Sequence, residues 1–133
     1  MDKLKYMNIP ENLKYTQEHE WVLIDEDGKS ALVGITEFAQ QELGDIVFIE
    51  IESQGDEIDR GEIFGTIEAV KTVSDLFMPL NGTVSEVNEE LEGAPERVNE
   101  DPYGKGWIIR IDLSNEDQTG LISSAEYAEL IGV

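Results

Sequence analysis

Glu62-Ile63-Phe64-Gly65-Thr66-Ile67-Glu68-Ala69-Val70-Lys71-Thr72-Val73-Ser74-Asp75-Leu76-Phe77-Met78-Pro79-Leu80-Asn81-Gly82 is the stretch whose reading decides the fold. Its flanks are strand-like, with β-branched and aromatic residues from Glu62 to Ile67 and from Leu76 to Leu80, and Asn81-Gly82 closes it as a turn pair. The pattern predicts a hairpin that displays Lys71 at its tip. Gly55 stands sixteen positions before that lysine and Gly82 eleven after it. Gly82 is expected to supply a positive backbone angle at the far turn, or to be an ordinary hairpin glycine. By residue type alone Lys71 is a solvated side chain, so its surroundings must decide whether it does more.

Upstream, Trp21-Val22-Leu23-Ile24, the acidic Asp25-Glu26-Asp27-Gly28 and Ala31-Leu32-Val33 read as another hairpin. Thr36 is placed to cap a short helix over Glu37 to Leu43, with Gly44 just past its end. Ile46 to Glu52 reads as a strand with Val47, Ile49 and Ile51 on one face and Glu50 and Glu52 on the other. Gly55 to Phe64 and Asn81 to Val87 repeat one cadence of glycine turn, charge and branched apolar residues, which suits a barrel of two similar halves.

Downstream, Leu91 to Gly106 is rich in Gly, Pro, Asn and acids and is expected to be a long surface loop. Trp107 to Leu113 returns to the sheet, with Trp107, Ile109, Ile111 and Leu113 facing one way. Ser123-Ser124-Ala125-Glu126 is a capping box, Ala128, Leu130 and Ile131 after it suggest a C-terminal helix, and Ile9 to Leu13 is expected to form a helical turn. The whole is a mainly β chain of 133 residues, one domain in length.

Composition narrows the function classes. Thirty acidic residues against nine basic ones give a formal charge of -21, which excludes a phosphate-backbone partner. The acids are spread along the chain, as on a solvated surface that keeps a protein monomeric, with steering toward basic partners as the functional alternative. There is no cysteine and one histidine, His19, so disulfides, thiolate chemistry, a histidine pair for zinc and a redundant catalytic triad are all excluded. No apolar run reaches membrane-spanning length, and Met1 to Lys5 has neither a signal peptide's apolar region nor a transit peptide's composition, so a cytoplasmic protein is expected.

Glu68-Ala69-Val70-Lys71 through Asp75 resembles the attachment segment of lipoyl carriers. Nearly end to end, the chain resembles the H-protein family of the glycine cleavage system. The resemblance runs through Tyr15 to Val22, Val33 to Thr36 with Ala39-Gln40, Leu43 to Glu50, Pro79 with Gly82, Glu86 to Asn88, and Val98 to Gly104 followed by Gly106-Trp107. Such blocks in this order are far more specific than one short motif. The resemblance implies a lipoyl/biotinyl-carrier-like barrel-sandwich hybrid with short flanking helices, in which residues 1–133 form a single carrier domain with N- and C-terminal helical extensions. It also implies lipoate in amide linkage on Lys71 (N6-lipoyllysine), a carrier without catalysis of its own, and no metal.

The implied partners are glycine decarboxylase (P protein, dependent on pyridoxal phosphate), the folate-dependent aminomethyltransferase (T protein), and dihydrolipoamide dehydrogenase (L protein). A lipoate ligase or octanoyltransferase would attach the arm. Glu68 and Gly82 would serve modifying-enzyme recognition and turn geometry, although on so acidic a chain Glu68 is equally a solvated glutamate. The resemblance places Glu18-His19-Glu20-Trp21 beside a cleft for the loaded arm, with Glu20 and Asp75 as acceptors for its amine. Asp75 has the same solvated alternative as Glu68, and His19 reads first as a packed ring at a strand edge. Ala69 and Arg97 depart from the family pattern; Arg97 leaves the packing of its loop open.

Rival readings differ in the modification or in the class. A biotin carrier shares the fold, but Val70 and Thr72 stand where biotin sites place methionine. A lipoyl domain of a 2-oxoacid dehydrogenase would lack the Glu18 to Trp21 and Pro102 to Trp107 blocks. A relay protein that passes lipoate to other complexes needs the same modified lysine. An acidic hydrolase would use paired carboxylates such as Glu50 and Glu52, which strand alternation puts on one exposed face.

Overall fold

The computed structural model describes residues 7–133; the reading of Met1 to Lys5 as free of a leader lies outside them. The chain runs β1 (Lys14–Tyr15), β2 (Glu20–Ile24), β3 (Ser30–Ile35), α1 (Glu37–Leu43), β4 (Ile46–Glu50), β5 (Glu57–Ile58), β6 (Ile63–Ala69), β7 (Val73–Phe77) and β8 (Gly82–Val87). Single helical turns α2 (Glu90–Gly93) and α3 (Arg97–Glu100) follow, then β9 (Ile109–Leu113) and α4 (Ser124–Ile131). All strand pairs are antiparallel, in a six-stranded sheet ordered β1-β2-β3-β9-β8-β5 and a three-stranded sheet ordered β4-β6-β7. The two segments with the same cadence pair with each other, Glu57 opposite Thr83 and Ile58 opposite Gly82.

The sheets close over one apolar core. Val22, Val33, Val84, Ile109 and Ile111 come from the larger sheet, and Ile46, Ile49, Ile67 and Leu76 from the smaller. Burying each such side chain is worth about 1.5–3 kcal/mol. A second cluster covers the other face of β2 and β3, where Tyr15, Trp21, Tyr127 and Ile131 meet. Burial on both faces explains why Trp21 to Ile24 is a continuous apolar run and not an alternating one. The Trp21 indole N–H donates to the Pro102 carbonyl at 2.8 Å, so the second cluster also ties down the segment before β9.

Several expectations are corrected by packing. In β4, Ile46 and Ile49 are buried while Val47 is exposed, because a bulge inserts a residue between Ile46, which pairs with Ala69, and Phe48, which pairs with Glu68. The Leu91 to Gly106 segment is not a surface loop: Leu91 and Val98, one on each helical turn, are buried in the main core. Arg97 begins α3 without disturbing it, although its Nε is buried with no hydrogen-bond partner. Trp107 packs with the second cluster, away from Ile109 and Ile111. The expected capping box of Ser123 and Glu126 and the helix after it both form, and α4 buries Tyr127 and Ile131. The helical turn expected over Ile9 to Leu13 is a simple turn at Glu11 and Asn12.

Candidate functional site

The β6–β7 hairpin pairs Thr66 with Asp75, Ile67 with Ser74 and Glu68 with Val73. Ala69 N–H donates to the Thr72 carbonyl at 2.8 Å, which closes the turn and leaves Lys71 exposed at its apex. A second tether comes from outside the hairpin, where Val70 N–H donates to the Asp45 carbonyl at 3.0 Å. Asp45 lies in the short link between α1 and β4, and Asn99 of α3 clamps that link from below. Its side-chain oxygen accepts from Ile46 N–H, and its amide donates to the Gly44 carbonyl and to Gln40 Oε1, each at 2.9 Å.

Gly44 has φ +81, and a side chain built on it would come within 3.5 Å of Lys71 Cε. The lysine stem therefore lies across the end of α1. In the sequence Gly44 is legible as a helix terminator, whereas Asn99 carries no signal beyond its place in the Val98 to Gly104 block.

Beyond Gly44 opens a cleft of about 320 Å³ between α1, the start of β2 and the edge strand β7. Ile35, Phe38, Leu43, Ile67 and Leu76 make its walls apolar, while Glu18, His19, Glu20, Glu42 and Asp75 supply its polar groups. Asp75 is thus brought to the same cleft as His19 and Glu20, from which it is far removed in sequence. Asp75 follows Lys71 by four residues and is the third residue of β7.

Glu20 is only 2% exposed. Its carboxyl accepts from Thr16 Oγ1 at 3.0 Å and from Phe77 N–H at 2.9 Å, linking β2 to β7. Burial outweighs both hydrogen bonds and pushes its pKa up to about 8.

His19 has φ +69, a left-handed conformation. Its Nδ1 lies 2.8 Å from the Tyr127 hydroxyl, which is also 2.8 Å from Thr36 Oγ1, the cap of α1. The ring rests 4.9 Å from Phe38, and burial lowers its pKa. The packed-ring reading describes its geometry, with Tyr127 of α4 as the partner the sequence did not reveal.

The other two predicted residues lie outside the cleft. Glu68 is exposed on the outer face of the three-stranded sheet. Gly82 is corrected: its φ is not positive, and it opens β8 opposite Leu113, away from the Lys71 turn. Glycine is needed there because a Cβ would lie 2.5 Å from the Asp112 carbonyl oxygen. Glu50 and Glu52 are both exposed.

The family model for the glycine cleavage H-protein matches residues 13–132. The chain belongs to the glycine cleavage H-protein family. Members of this family are lipoyl carriers. A crystal structure of a glycine cleavage system H protein from Mycobacterium marinum superposes with a TM-score of 0.86 at 36% identity, covering 94% of this chain and 100% of that one. The barrel-sandwich expected from the sequence is therefore the fold observed. Among the described residues no helix is long and apolar enough to cross a membrane, and no group of three or more metal-ligating side chains is gathered.

Proposed function

We propose that Lys71 carries lipoate as N6-lipoyllysine. The chain then takes the aminomethyl group of glycine from glycine decarboxylase to the folate-dependent aminomethyltransferase and returns to dihydrolipoamide dehydrogenase for reoxidation. One observation carries this reading: the sole cation on the β6–β7 hairpin is displayed at its apex, with its stem against Gly44 at the end of α1, the helix whose Phe38 and Leu43 line a cleft that holds a buried acid. When bound, lipoate supplies a dithiolane able to accept a one-carbon unit and to cycle between disulfide and dithiol. The residues present fit it, since apolar walls suit a hydrocarbon arm and Glu20 with Asp75 suits an amine at its end.

On this reading the chain's own groups position and protect. The Ala69 and Val70 hydrogen bonds hold the turn so that Lys71 faces outward to the ligase or octanoyltransferase and to each enzyme in turn. Glu20 and Asp75 accept hydrogen bonds from a cationic amine, and Phe38, Leu43 and Leu76 exclude water from the carbon beside it. Tethering replaces diffusion of a labile group by a high effective concentration at the next active site. The same proposal has residues 1–133 acting as one monomeric, non-catalytic carrier domain in the cytoplasm.

Intact mass of the protein from its own host tests the modification. A lipoyl-sized increment on Lys71 is expected; a biotin-sized increment, or none under conditions of glycine-dependent growth, would overturn the proposal. For the finer role, the lipoylated protein should support exchange of bicarbonate into glycine with glycine decarboxylase. A lipoylated protein that donates its lipoate to other complexes but supports no exchange would show a relay.

A further inference from the structure

The outer face of the three-stranded sheet carries an apolar patch at its Lys71 end. Strand alternation sends Ile49 and Ile67 inward, and the register then lines up Phe48, Glu68 and Val73 as one outward row across β4, β6 and β7. Phe48 is 49% exposed and Val73 60%, and each lies directly beside Glu68 at cross-strand contact distance. The bulge adds Val47, 46% exposed, and the turn adds Val70, 76% exposed. Four of the large exposed apolar side chains among the described residues thus gather at the Lys71 end of one sheet. A gathered patch, unlike scattered apolar residues, marks a contact surface.

Its charges say what covers it. Glu68 stands within the row, and Asp45, Glu50 and Asp75 are exposed around it. Within β4, β6, β7 and the 70–72 turn the only cation is Lys71, and acylation removes that charge. A second copy of this chain would bring its own excess of acids to the same face, and anionic membranes or nucleic acids are repelled likewise. The complementary occupant is an enzyme surface with an apolar patch, a basic side chain for Glu68 and a basic rim.

We propose that the row Phe48, Glu68 and Val73, extended by Val47 and Val70, is the docking face by which enzymes that handle the Lys71 arm grip this chain. The proposal rests on the carrier reading and deepens it: recognition extends over three strands and is apolar as well as charged. Docking this close to the apex leaves the arm free to reach into the partner's site. Repeated release requires the contact to be small, so its signature lies in KM more than in kcat.

The test uses the full chain with a lipoate ligase, ATP and lipoate, and then the lipoylated chain with dihydrolipoamide dehydrogenase and NADH. Phe48→Ser combined with Val73→Thr is expected to raise KM for the chain about tenfold in both assays with kcat retained. Val73→Thr alone, a change that suits an exposed strand, should give part of that rise. Glu68→Gln should weaken the dependence of KM on salt. As a readout free of turnover, calorimetric binding of the Lys71→Ala chain to the ligase should weaken with the double change. Unchanged KM and binding in folded variants would overturn the proposal, as would a wild-type dimer in sedimentation that these substitutions dissociate. Failure of the ligase to modify wild-type Lys71 would instead remove the carrier reading on which the proposal stands.

Discussion

The two motifs that meet at the cleft are built in opposite ways. In the Glu18 to Trp21 segment almost every group is fixed from elsewhere in the chain: Glu20 by Phe77 and Thr16, His19 by Tyr127, Trp21 by Pro102. In the Glu68 to Asp75 segment the turn is set by one internal hydrogen bond and one tether to Asp45, and Val70 to Val73 stand exposed. On the proposed reading the first is a receptacle, which needs side chains held against the cost of desolvation, and the second a point of attachment, which needs access. The difference teaches that substitutions in the first segment act through stability and charge, and those in the second through recognition.

Lys71→Ala should show the comparison at its fullest. Incorporation of lipoate, read by mass spectrometry, should be lost completely, while the unfolding free energy from urea denaturation stays within about 0.5 kcal/mol of wild type, as for most surface changes. Modification elsewhere on the variant would break the assignment. Trp21→Ala should do the reverse: a loss of about 3–5 kcal/mol in chemical denaturation from the cavity it leaves, with Lys71 still modified in whatever fraction remains folded.

Glu20 sharpens the receptacle side through pH. Its folded pKa, about 8, lies above the ordinary carboxylate value, so between about pH 5 and pH 8 the folded state holds a proton that the unfolded state has released. Stability should therefore fall as pH rises through that window, by on the order of a few kcal/mol. Glu20→Gln should abolish this component in denaturation curves compared at pH 5, 6.5 and 8. An identical slope in the variant would mean that ionised Glu20 is compensated inside the fold. Replacing Glu20 and Asp75 together with uncharged residues should speed release of formaldehyde and ammonia from the loaded protein without reducing attachment at Lys71.

Asn99→Ala is expected to have the smallest effect and the most local one. Losing the clamp on Gly44 and Ile46 should cost about 1–2 kcal/mol and loosen the Asp45 link. Amide exchange at Val70, whose N–H donates to Asp45, should accelerate more than exchange at Ile67 in the same hairpin. Equal acceleration at both would show that the turn is held from within.

Much was legible because it is local. The β6–β7 hairpin, the Thr36 cap with Gly44 behind it, the Ser123 to Glu126 box and the acidic turn after β2 each depend on residues a few positions apart, and each forms. Misreadings arose where a distant surface intervened. The β4 bulge overrode strict alternation, the main core drew Leu91 and Val98 out of a segment that read as loop, and the Asp112 carbonyl explains the glycine at Gly82.

By itself the sequence determined the mainly β architecture, the lack of any cysteine thiol, the strongly acidic balance, and Lys71 as the apex of a hairpin, because periodicity, turn residues and net charge are properties of short stretches or of simple sums. Only the tertiary structure decided that Glu20 is desolvated between β2 and β7, that Tyr127 and Asn99 brace the cleft and the turn, and that Phe48 and Val73 flank Glu68. Those properties belong to pairs of residues that become neighbours only when the sheets close, and burial and strand register exist only after they do.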